Sequence, residues 1–331
     1  MSTRAGTPGA PPASGRAPTR PASARLALVA AAAVPVCGLL ELGASLWMAK
    51  RTPTYADWDA SRPRVLALKE QVSGVVVAPW WAEPHARRAY GESILPLRDV
   101  ARADESRYAR LLEVSVRGER LPETSGFRVV SEEPLAHGLV ARVLENPAPA
   151  RPTFDFTDHV ADGRASVAFV VGSREDACDF RTSEPVVAPG LFGHPAIPPA
   201  RFVCGRTPLA SVGVTVHDDE RFRARRCVLS QPPDGGAVRL RFADVPLGDV
   251  IRGHMSIHWT LEREKRGAPV FLEVAIDGER VGEVKHLDGE GWAPGFTIPL
   301  GSRARTTARE VTLSLRSSGR DRQVCWEADA R

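Results

Sequence analysis

Residues 272–278 read LEVAIDG, and this stretch decides the fold that we predict for the carboxy-terminal third of the chain. Apolar residues stand at every second position from Leu272 to Ile276, which is the period of a β-strand with one buried face. Asp277 and Gly278 follow at once, and Asp-Gly is a preferred two-residue turn between antiparallel strands. The stretch therefore predicts the first strand and the turn of a β-hairpin.

The same alternation recurs on both sides of this hairpin. It is seen at Val238, Leu240 and Phe242; at Met255, Ile257, Trp259 and Leu261; and at Val311, Leu313 and Leu315. Short antiparallel strands with one face in water are typical of a β-sandwich. We therefore predict a sandwich domain over residues 227–331, with Trp259 in its core. In size and strand rhythm this region resembles the jelly-roll modules that include many carbohydrate-binding domains, and the resemblance implies a jelly-roll-like fold.

Residues 119–226, which precede this domain, are predicted to form a β-rich connecting region. Strands are expected at 127–131, 139–144, 165–171 and 212–216. Between residues 179 and 201 the chain is rich in proline and glycine, which indicates a long loop.

The cysteines indicate an oxidising compartment. Cys178, Cys204, Cys227 and Cys325 make an even number, and none of them forms a CxxC pair, so disulfides are favoured over metal ligation. Four cysteines allow three connectivities. We expect Cys178 to pair with Cys204 and Cys227 with Cys325, because each pair then falls within one apparent structural unit.

Residues 52–118 are predicted to form a small α/β lobe. Helices are expected at 64–71, 84–95 and 105–112, and strands at 75–78 and 113–116. Short apolar strands without polar alternation, separated by helices, favour a small sheet of parallel character that is covered on both faces.

The layout of this lobe carries a resemblance of its own. An apolar helix is followed by YADWD, a helix, VVVAPWW and EPHARRAYGE over residues 50–118. This layout resembles the extracytoplasmic α/β lobe that follows the last membrane helix in some polytopic lipid-linked-sugar glycosyltransferases. The chain lacks the multi-helix catalytic core and the acidic loops of those enzymes, so the resemblance does not imply their activity. As a whole the chain is similar to single-pass envelope proteins predicted from GC-rich bacterial genomes.

Residues 26–48, LALVAAAAVPVCGLLELGASLWM, predict a membrane anchor. As a helix this run is about 34 Å long, which is enough for a hydrocarbon core of about 30 Å. Four arginines and no acidic residue precede it, so we expect residues 1–25 to be a disordered cytoplasmic tail, residues 26–49 to span the inner (cytoplasmic) membrane, and the later domains to be extracytoplasmic. A cleaved signal peptide and a lipoprotein signal at Cys37 are the alternatives.

The overall prediction is a membrane-anchored α+β protein with one transmembrane helix, an α/β lobe and an antiparallel β-sandwich. Up to Arg51 the four arginines, Lys50 and Arg51, less Glu41, give a charge of +5. The total of +4 therefore leaves −1 for residues 52–331. A nearly neutral exterior part argues against a nucleic-acid partner.

Tryptophans supply the candidate binding residues, because indole faces stack on sugar rings. Trp292 lies in a loop rich in glycine, where its ring is not obviously buried, and Asp288 and Glu290 stand beside it. Trp80 and Trp81 end the strand at 75–78, and ligands of α/β proteins usually bind at the carboxyl ends of strands. The alternative for each tryptophan is local packing.

Other polar clusters are predicted to be structural. His254 and His258 are expected to be solvated on one strand, where four residues span about 13 Å, too far for one metal ion. The sequence 217–219, HDD, and the sequence 288–291, DGEG, are expected to be turns. The chain carries no GxSxG, P-loop, GxGxxG or HExxH motif, so no catalytic residue, metal or cofactor is predicted.

The function that we predict is a non-catalytic extracytoplasmic module that binds envelope glycans or supports the machinery that assembles them. Its predicted partners are the membrane and an envelope glycan or a glycan-assembly protein. The first alternative is an envelope polysaccharide hydrolase or glycosyl transferase, because paired carboxylates leave no spacing in the sequence. A purely structural envelope protein is the second alternative.

Overall fold

The computed structural model describes residues 22–186, 196–207, 209–301, 308–319 and 322–331, with side chains described from residue 31 onward. Residues 1–21 of the predicted tail lie outside the described residues, whereas residues 22–25 already belong to a helix. The predicted loop at 179–201 is likewise described only in part, because residues 187–195 lie outside. The chain divides into two compact units, Met1–Thr52 and Pro53–Arg331.

The first unit contains the long apolar helix α1 (Ala22–Arg51). Among the described residues one helix near the N-terminus is long and apolar enough to cross a membrane, a test that a signal sequence also passes. The α+β fold class with one such helix is confirmed.

The second unit begins with the lobe. Its helices are α2 (Tyr55–Lys69), α3 (Glu83–Tyr90) and α4 (Leu97–Val100), and its strands are β1 (Gly74–Ala78), β2 (Arg110–Val116), β3 (Arg128–Pro134) and β4 (Leu139–Glu145). Thr54 caps α2, because its hydroxyl accepts from the N–H of Asp57 while the Asp57 carboxylate accepts from the N–H of Thr54 at 2.7 Å. Gly91, at φ 67°, ends α3.

The lobe sheet has the strand order β1-β2-β4-β3. Only β1 and β2 are parallel, whereas β4 is antiparallel to both of its neighbours, so the expected parallel character holds for one pair. The helix expected at 105–112 is not formed, because residues 110–112 begin β2, which is buried from Leu111 onward. Since β3 and β4 belong to this sheet, the lobe extends beyond residue 118, where its end was predicted.

The sandwich follows, with two short helices, α5 (Phe156–Ala161) and α6 (Trp259–Glu264). Its strands are β5 (Phe154–Asp155), β6 (Ser166–Val171), β7 (Arg174–Ala177), β8 (Asp179–Arg181), β9 (Arg201–Val203), β10 (Ser211–Asp218), β11 (Ala224–Ser230), β12 (Gly236–Val245), β13 (Val250–Ile257), β14 (Val270–Ile276), β15 (Glu279–His286), β16 (Phe296–Pro299), β17 (Arg309–Ser317) and β18 (Val324–Ala330). One sheet has the order β16-β13-β18-β11-β10-β9-β8, with β5 beside β18, and the other has the order β15-β14-β17-β12-β6-β7.

A single apolar core lies between these two sheets. Phe242, Leu272 and Leu313 enter it from the six-stranded sheet, and Met255 and Trp326 enter it from the eight-stranded sheet. In β14 buried and partly exposed residues alternate along the whole strand, as the pattern predicted. In β18 every residue is buried, because both faces of the eight-stranded sheet are covered at this strand.

The sandwich begins earlier in the chain than predicted. Strands β5 to β10, from the predicted connecting region, pair within the same two sheets as the strands after residue 227. The predicted boundary at Cys227 therefore falls inside β11, in the middle of a sheet. The alternation of apolar and polar residues indicated that boundary only because most of the strands with one solvent-exposed face come after it.

The hairpin predicted from residues 272–278 is confirmed, since β14 and β15 pair across the turn at Asp277 and Gly278. The strand predicted through Leu261 is too long. It ends at Ile257, and the His258 side chain caps α6 by accepting from the N–H of Thr260. Trp259 consequently lies on a helix and is partly exposed, not in the sandwich core.

Both predicted disulfides are present. Cys178 and Cys204 are bonded with their Cα atoms 4.3 Å apart, at the point where the chain crosses from β7 in one sheet to β8 in the other. Cys227 and Cys325 are bonded with their Cα atoms 5.4 Å apart, and they join the neighbouring strands β11 and β18.

Candidate functional site

The carboxyl end of β1 carries two tryptophans at the surface. The chain leaves the strand through Pro79 and makes one 3-10 turn, Trp80–Ala82, before α3 begins. Ala82 is buried and its N–H donates to the carbonyl oxygen of Pro79 at 2.9 Å, which fixes the turn against the lobe. The turn thereby holds Trp80 and Trp81 outward, with 42% and 48% of their surface exposed.

A tight loop between β10 and β11 faces these tryptophans. One carboxylate oxygen of the buried Asp219 accepts from the N–H groups of Arg221 and Arg223 at 2.9 Å each, and the other accepts from Nε of Arg225 at 2.9 Å. Asp219 therefore holds the loop together. The turn predicted at 217–219 begins later than expected, because His217 and Asp218 still pair with β11 as the last residues of β10. Phe222 lies at the tip with φ 60° and is 49% exposed.

The two walls enclose a cavity of about 210 Å³, which we call the aromatic cleft. Its floor is apolar and includes the core strand β1. Its rim carries the rings of Trp80, Trp81 and Phe222 and the charged groups of Glu83, Arg102 and Arg223. Aromatic faces beside a few convergent polar groups are typical of small-ligand sites.

The two arginines of the aromatic cleft are bound to carboxylates of the protein. Arg102 pairs with Glu105 at 2.8 Å and also donates to the carbonyl oxygen of Asp99 at 2.7 Å. Arg223 lies 3.5 Å from the same glutamate and also pairs with Glu123. Both guanidinium groups contact the buried Glu105. This shared partner holds them at the edge of the cleft.

Glu83 differs from these groups. Within the described part of the chain, no group donates a hydrogen bond to its carboxylate. Burial raises the pKa of Glu83, the charges of Arg102, Arg87 and Arg223 partly oppose this, and the charge of Asp218 adds to it. The aromatic cleft therefore contains a partly buried acceptor with no partner of its own.

The aromatic surface continues beyond the cleft. The ring of Phe222 lies 5.2 Å from that of Trp259, and the guanidinium of Arg263 covers both rings at 4.6 Å and 5.1 Å. This continuation gives the cleft an extended apolar rim, and exposed apolar patches of this kind mark binding surfaces.

Trp292 lines a cavity separate from the aromatic cleft, but almost none of its surface is exposed there. The side chain is 1% exposed, its ring stacks on His254 at 5.4 Å, and it packs against the Cys227–Cys325 disulfide. The expectation of an accessible ring in this loop is therefore wrong, and the cause is coverage by the lobe, whose Ala103 packs against it.

Asp288 and Glu290 serve the same loop. Asp288 is buried, pairs with Arg322 and accepts from the N–H of Gly267 at 2.7 Å. Burial raises its pKa, but these hydrogen bonds outweigh burial and the net pKa is lowered. Glu290 accepts from the N–H of Leu287 at 2.8 Å and lines a separate cavity of about 350 Å³. Neither residue lies at the aromatic cleft.

The histidines predicted to be solvated are buried. His254 contacts Glu327 at 2.6 Å between Nδ1 and a carboxylate oxygen, and His258 is buried at the start of α6. The prediction that these histidines are solvated was wrong because the outer face of the eight-stranded sheet is covered where they lie. His217 is also buried, and burial lowers its pKa to about 4. Among the described residues, no three His, Cys, Asp or Glu side chains are grouped so as to hold a metal ion.

Sequence reasoning found Trp80 and Trp81 but missed the other groups of the aromatic cleft. Glu83 stands only two residues after Trp81, so its place at the strand end was a usable signal. Phe222 and Arg223 carried no such signal, because they meet the lobe only through the pairing of distant strands.

No protein-family model matches the chain. No curated protein matches it either. Among solved structures, the chain is similar to the M60 catalytic domain with the CBM51-1 and CBM51-2 domains from Clostridium perfringens ZmpB, at 11% identity and a TM-score of 0.30 over 62% of this chain and 20% of that chain. It is also similar to the CBM51-2 and INT domains of the same protein, at 10% identity and a TM-score of 0.29 over 64% and 46% of the two chains.

A third similar structure contains the tandem CBM51 modules of Sp3GH98, the family 98 glycoside hydrolase from Streptococcus pneumoniae, at 10% identity and a TM-score of 0.28 over 60% and 56% of the two chains. The chain thus spans between 20% and 56% of these three chains. With TM-scores this low, the similarities carry no argument about fold or function. The resemblance of residues 50–118 to a glycosyltransferase lobe stays a prediction.

Proposed function

We propose that this protein is a membrane-anchored, non-catalytic module that binds envelope glycans at the aromatic cleft, alone or together with a glycan-assembly protein. The observation that carries the proposal is the set of half-exposed rings, Trp80, Trp81 and Phe222, around the unpartnered carboxylate of Glu83. A sugar ring has an apolar face that stacks on aromatic rings and hydroxyl groups that donate to carboxylates. The cleft offers both kinds of contact within one small cavity.

The anchor and its orientation belong to the same proposal. The length of α1 and the basic residues before it support an inner-membrane anchor with the amino-terminal tail inside. The two disulfides support an extracytoplasmic place for the second unit. Alkaline phosphatase fused after Arg331 is expected to be active and the same reporter after Arg20 inactive. The reverse pattern would overturn the orientation, and a shortened mature chain would replace the anchor with a signal peptide.

The glycan-binding proposal is tested with the full chain in lipid nanodiscs and purified envelope polysaccharide. Trp81→Ala is expected to weaken binding by about 1–3 kcal/mol, the scale of a lost aromatic anchor, with little change in melting temperature. Tyr55→Ala is the matched control, because Tyr55 is 47% exposed in the same lobe but does not line the aromatic cleft. Equal binding by the wild type and the Trp81 variant would overturn the proposal.

An envelope hydrolase is the second candidate, and one observation favours it. Burial raises the pKa of Glu83, and burial followed by the charge of Asp219 raises the pKa of Asp218. Asp218 does not line the aromatic cleft, but its charge acts on Glu83, and glycoside hydrolysis uses two nearby carboxyl groups of which at least one has a raised pKa. The same nanodisc preparation distinguishes the candidates, since binding leaves the size distribution of the polysaccharide unchanged and hydrolysis shortens it.

A further inference from the structure

We infer that the aromatic cleft selects one electrically neutral sugar unit over an acidic one, and that Glu83 makes the selection. This inference rests on the proposed function, because it names the class of glycan that the same site takes. It makes no use of the anchor or of any partner protein.

The charged groups around the aromatic cleft disfavour an acidic sugar. Among the residues that the structure describes, Arg102 and Arg223 are the two cations that line it, and three glutamates, at positions 83, 105 and 123, stand against them. The set is therefore net negative by one charge. Both guanidinium groups are already bound to buried or half-buried carboxylates, so neither is free of a protein counter-ion. A uronic acid or a phosphate group entering the cleft would lie beside Glu83, while both lining arginines are already paired with carboxylates and Arg263 lies outside the cleft over the ring of Phe222.

The carboxylate of Glu83 favours a sugar that donates a hydrogen bond to it. Glu83 is partly buried, and within the described ranges it accepts no hydrogen bond. A sugar hydroxyl donates to such a group in a charge-assisted hydrogen bond, which is stronger than one between neutral groups. A neutral sugar thus supplies a donor that the described protein groups do not supply, whereas a carboxylate on the sugar brings a second acceptor to the same place.

The aromatic cleft has room for one sugar unit. Its volume is about 210 Å³, and a cavity of about 150 Å³ is known to hold a benzene molecule. The cleft therefore holds one six-membered ring with its substituents. Neighbouring sugar units have to lie outside it, where the rings of Phe222 and Trp259 form the exposed rim. The charge of the single sugar unit in the cleft therefore decides whether the protein binds the glycan.

The test uses a mixed pool of oligosaccharides from mild hydrolysis of purified envelope polysaccharides, containing neutral and uronic-acid-bearing species of matched length. The pool is passed over the full chain immobilised in lipid nanodiscs, and the bound fraction is analysed for acidic sugar. We expect the wild type to deplete acidic species at least tenfold relative to the pool. With Glu83→Gln the depletion is expected to fall below threefold, because the amide keeps an acceptor and removes the charge.

Asp218→Asn is the matched control, since Asp218 adds to the negative field but does not line the aromatic cleft. We expect this variant to keep most of the discrimination. Acidic species enriched in the wild-type fraction, or depletion that persists in the Glu83 variant, would overturn the inference while leaving glycan binding intact. If nothing binds, or if Trp81→Ala binds like the wild type, the proposed function itself fails and the inference falls with it.

Discussion

The indole N–H of Trp292 donates a hydrogen bond to the backbone carbonyl oxygen of Ala103 at 3.0 Å. The donor lies in a loop of the sandwich and the acceptor lies in the lobe. Arg225, in β11, donates to the carbonyl oxygens of Arg102 and Ala103 at 3.0 Å and 3.3 Å and so reinforces the contact. These bonds tie backbone of the lobe directly to the outer face of the eight-stranded sheet, which explains why the two parts form one compact unit.

Trp292→Ala is expected to lower the free energy of unfolding by about 3–5 kcal/mol, the range for removing a fully buried large aromatic side chain. Denaturant unfolding measures this loss. Trp292→Phe is the control that keeps a ring against His254 but removes the indole donor, and a smaller loss is expected. Glycan binding by the folded Trp292→Ala fraction should equal that of the wild type. Weakened binding with unchanged stability would show instead that Trp292 contacts the ligand.

Removal of the Cys227–Cys325 bond by a double Cys→Ser substitution is expected to destabilise the second unit by about 5 kcal/mol, because the bond closes a separation of 98 residues. The same double substitution at Cys178 and Cys204, which are separated by 26 residues, should cost about 3.5 kcal/mol. Denaturant unfolding of the two variants gives the comparison. Peptide mapping without reduction should recover both linked pairs, and a crossed pair would contradict the fold described above.

Glu83→Gln is expected to raise the melting temperature at neutral pH. The folded pKa of Glu83 is raised by burial, so its favourable contribution is present below the unfolded pKa and is lost as the pH rises through the folded pKa. The variant removes this partly buried charge, and its advantage should vanish below about pH 4, where the wild-type group is protonated in both states. A melting temperature that falls at neutral pH would show that Glu83 supports the fold instead.

His217 should make the protein sensitive to mild acid. Burial lowers its folded pKa to about 4, whereas the unfolded pKa is about 6.5, so the unfolded state binds a proton first as the pH falls. Stability is therefore lost between about pH 6.5 and pH 4. His217→Gln is expected to be less stable at pH 7, because it disturbs the hydrogen bond with the carbonyl oxygen of Ile257 at 3.3 Å. Its stability should then decline less on acidification, and equal slopes would contradict this assignment.

The strands with one wet face could be predicted because water imposes the alternation. β14 and β17 both show it, and their hairpin and sheet positions follow from it. β18 could be recognised only in part, because Glu327 and Asp329 are nearly as buried as Ala328 between them. Their polarity indicates a solvated face, whereas Arg107 from the lobe pairs with both carboxylates.

The candidate site was predictable to the same limited extent. Trp80 and Trp81 follow a strand in the sequence, so their position at its end could be inferred from local order alone. The burial of Trp292 and the exposure of Phe222 depend on which distant segment covers each ring, and no local pattern encodes that. The end of β13 at Ile257 shows the same effect on a smaller scale, since the alternation continues to Leu261 while the His258 cap starts a helix.

The position of β18 has a consequence for the order in which the chain can assemble. In the sequence it follows every other described strand of the eight-stranded sheet, but in the sheet it lies between β13 and β11. Until β18 has been synthesised, β11 and β13 each present a row of unpaired backbone groups, which is a template for pairing with other chains. Pairing over such long sequence distances is also slow. Newly made chains therefore pass through a period in which two strand edges inside the later sheet are open to pairing with other chains.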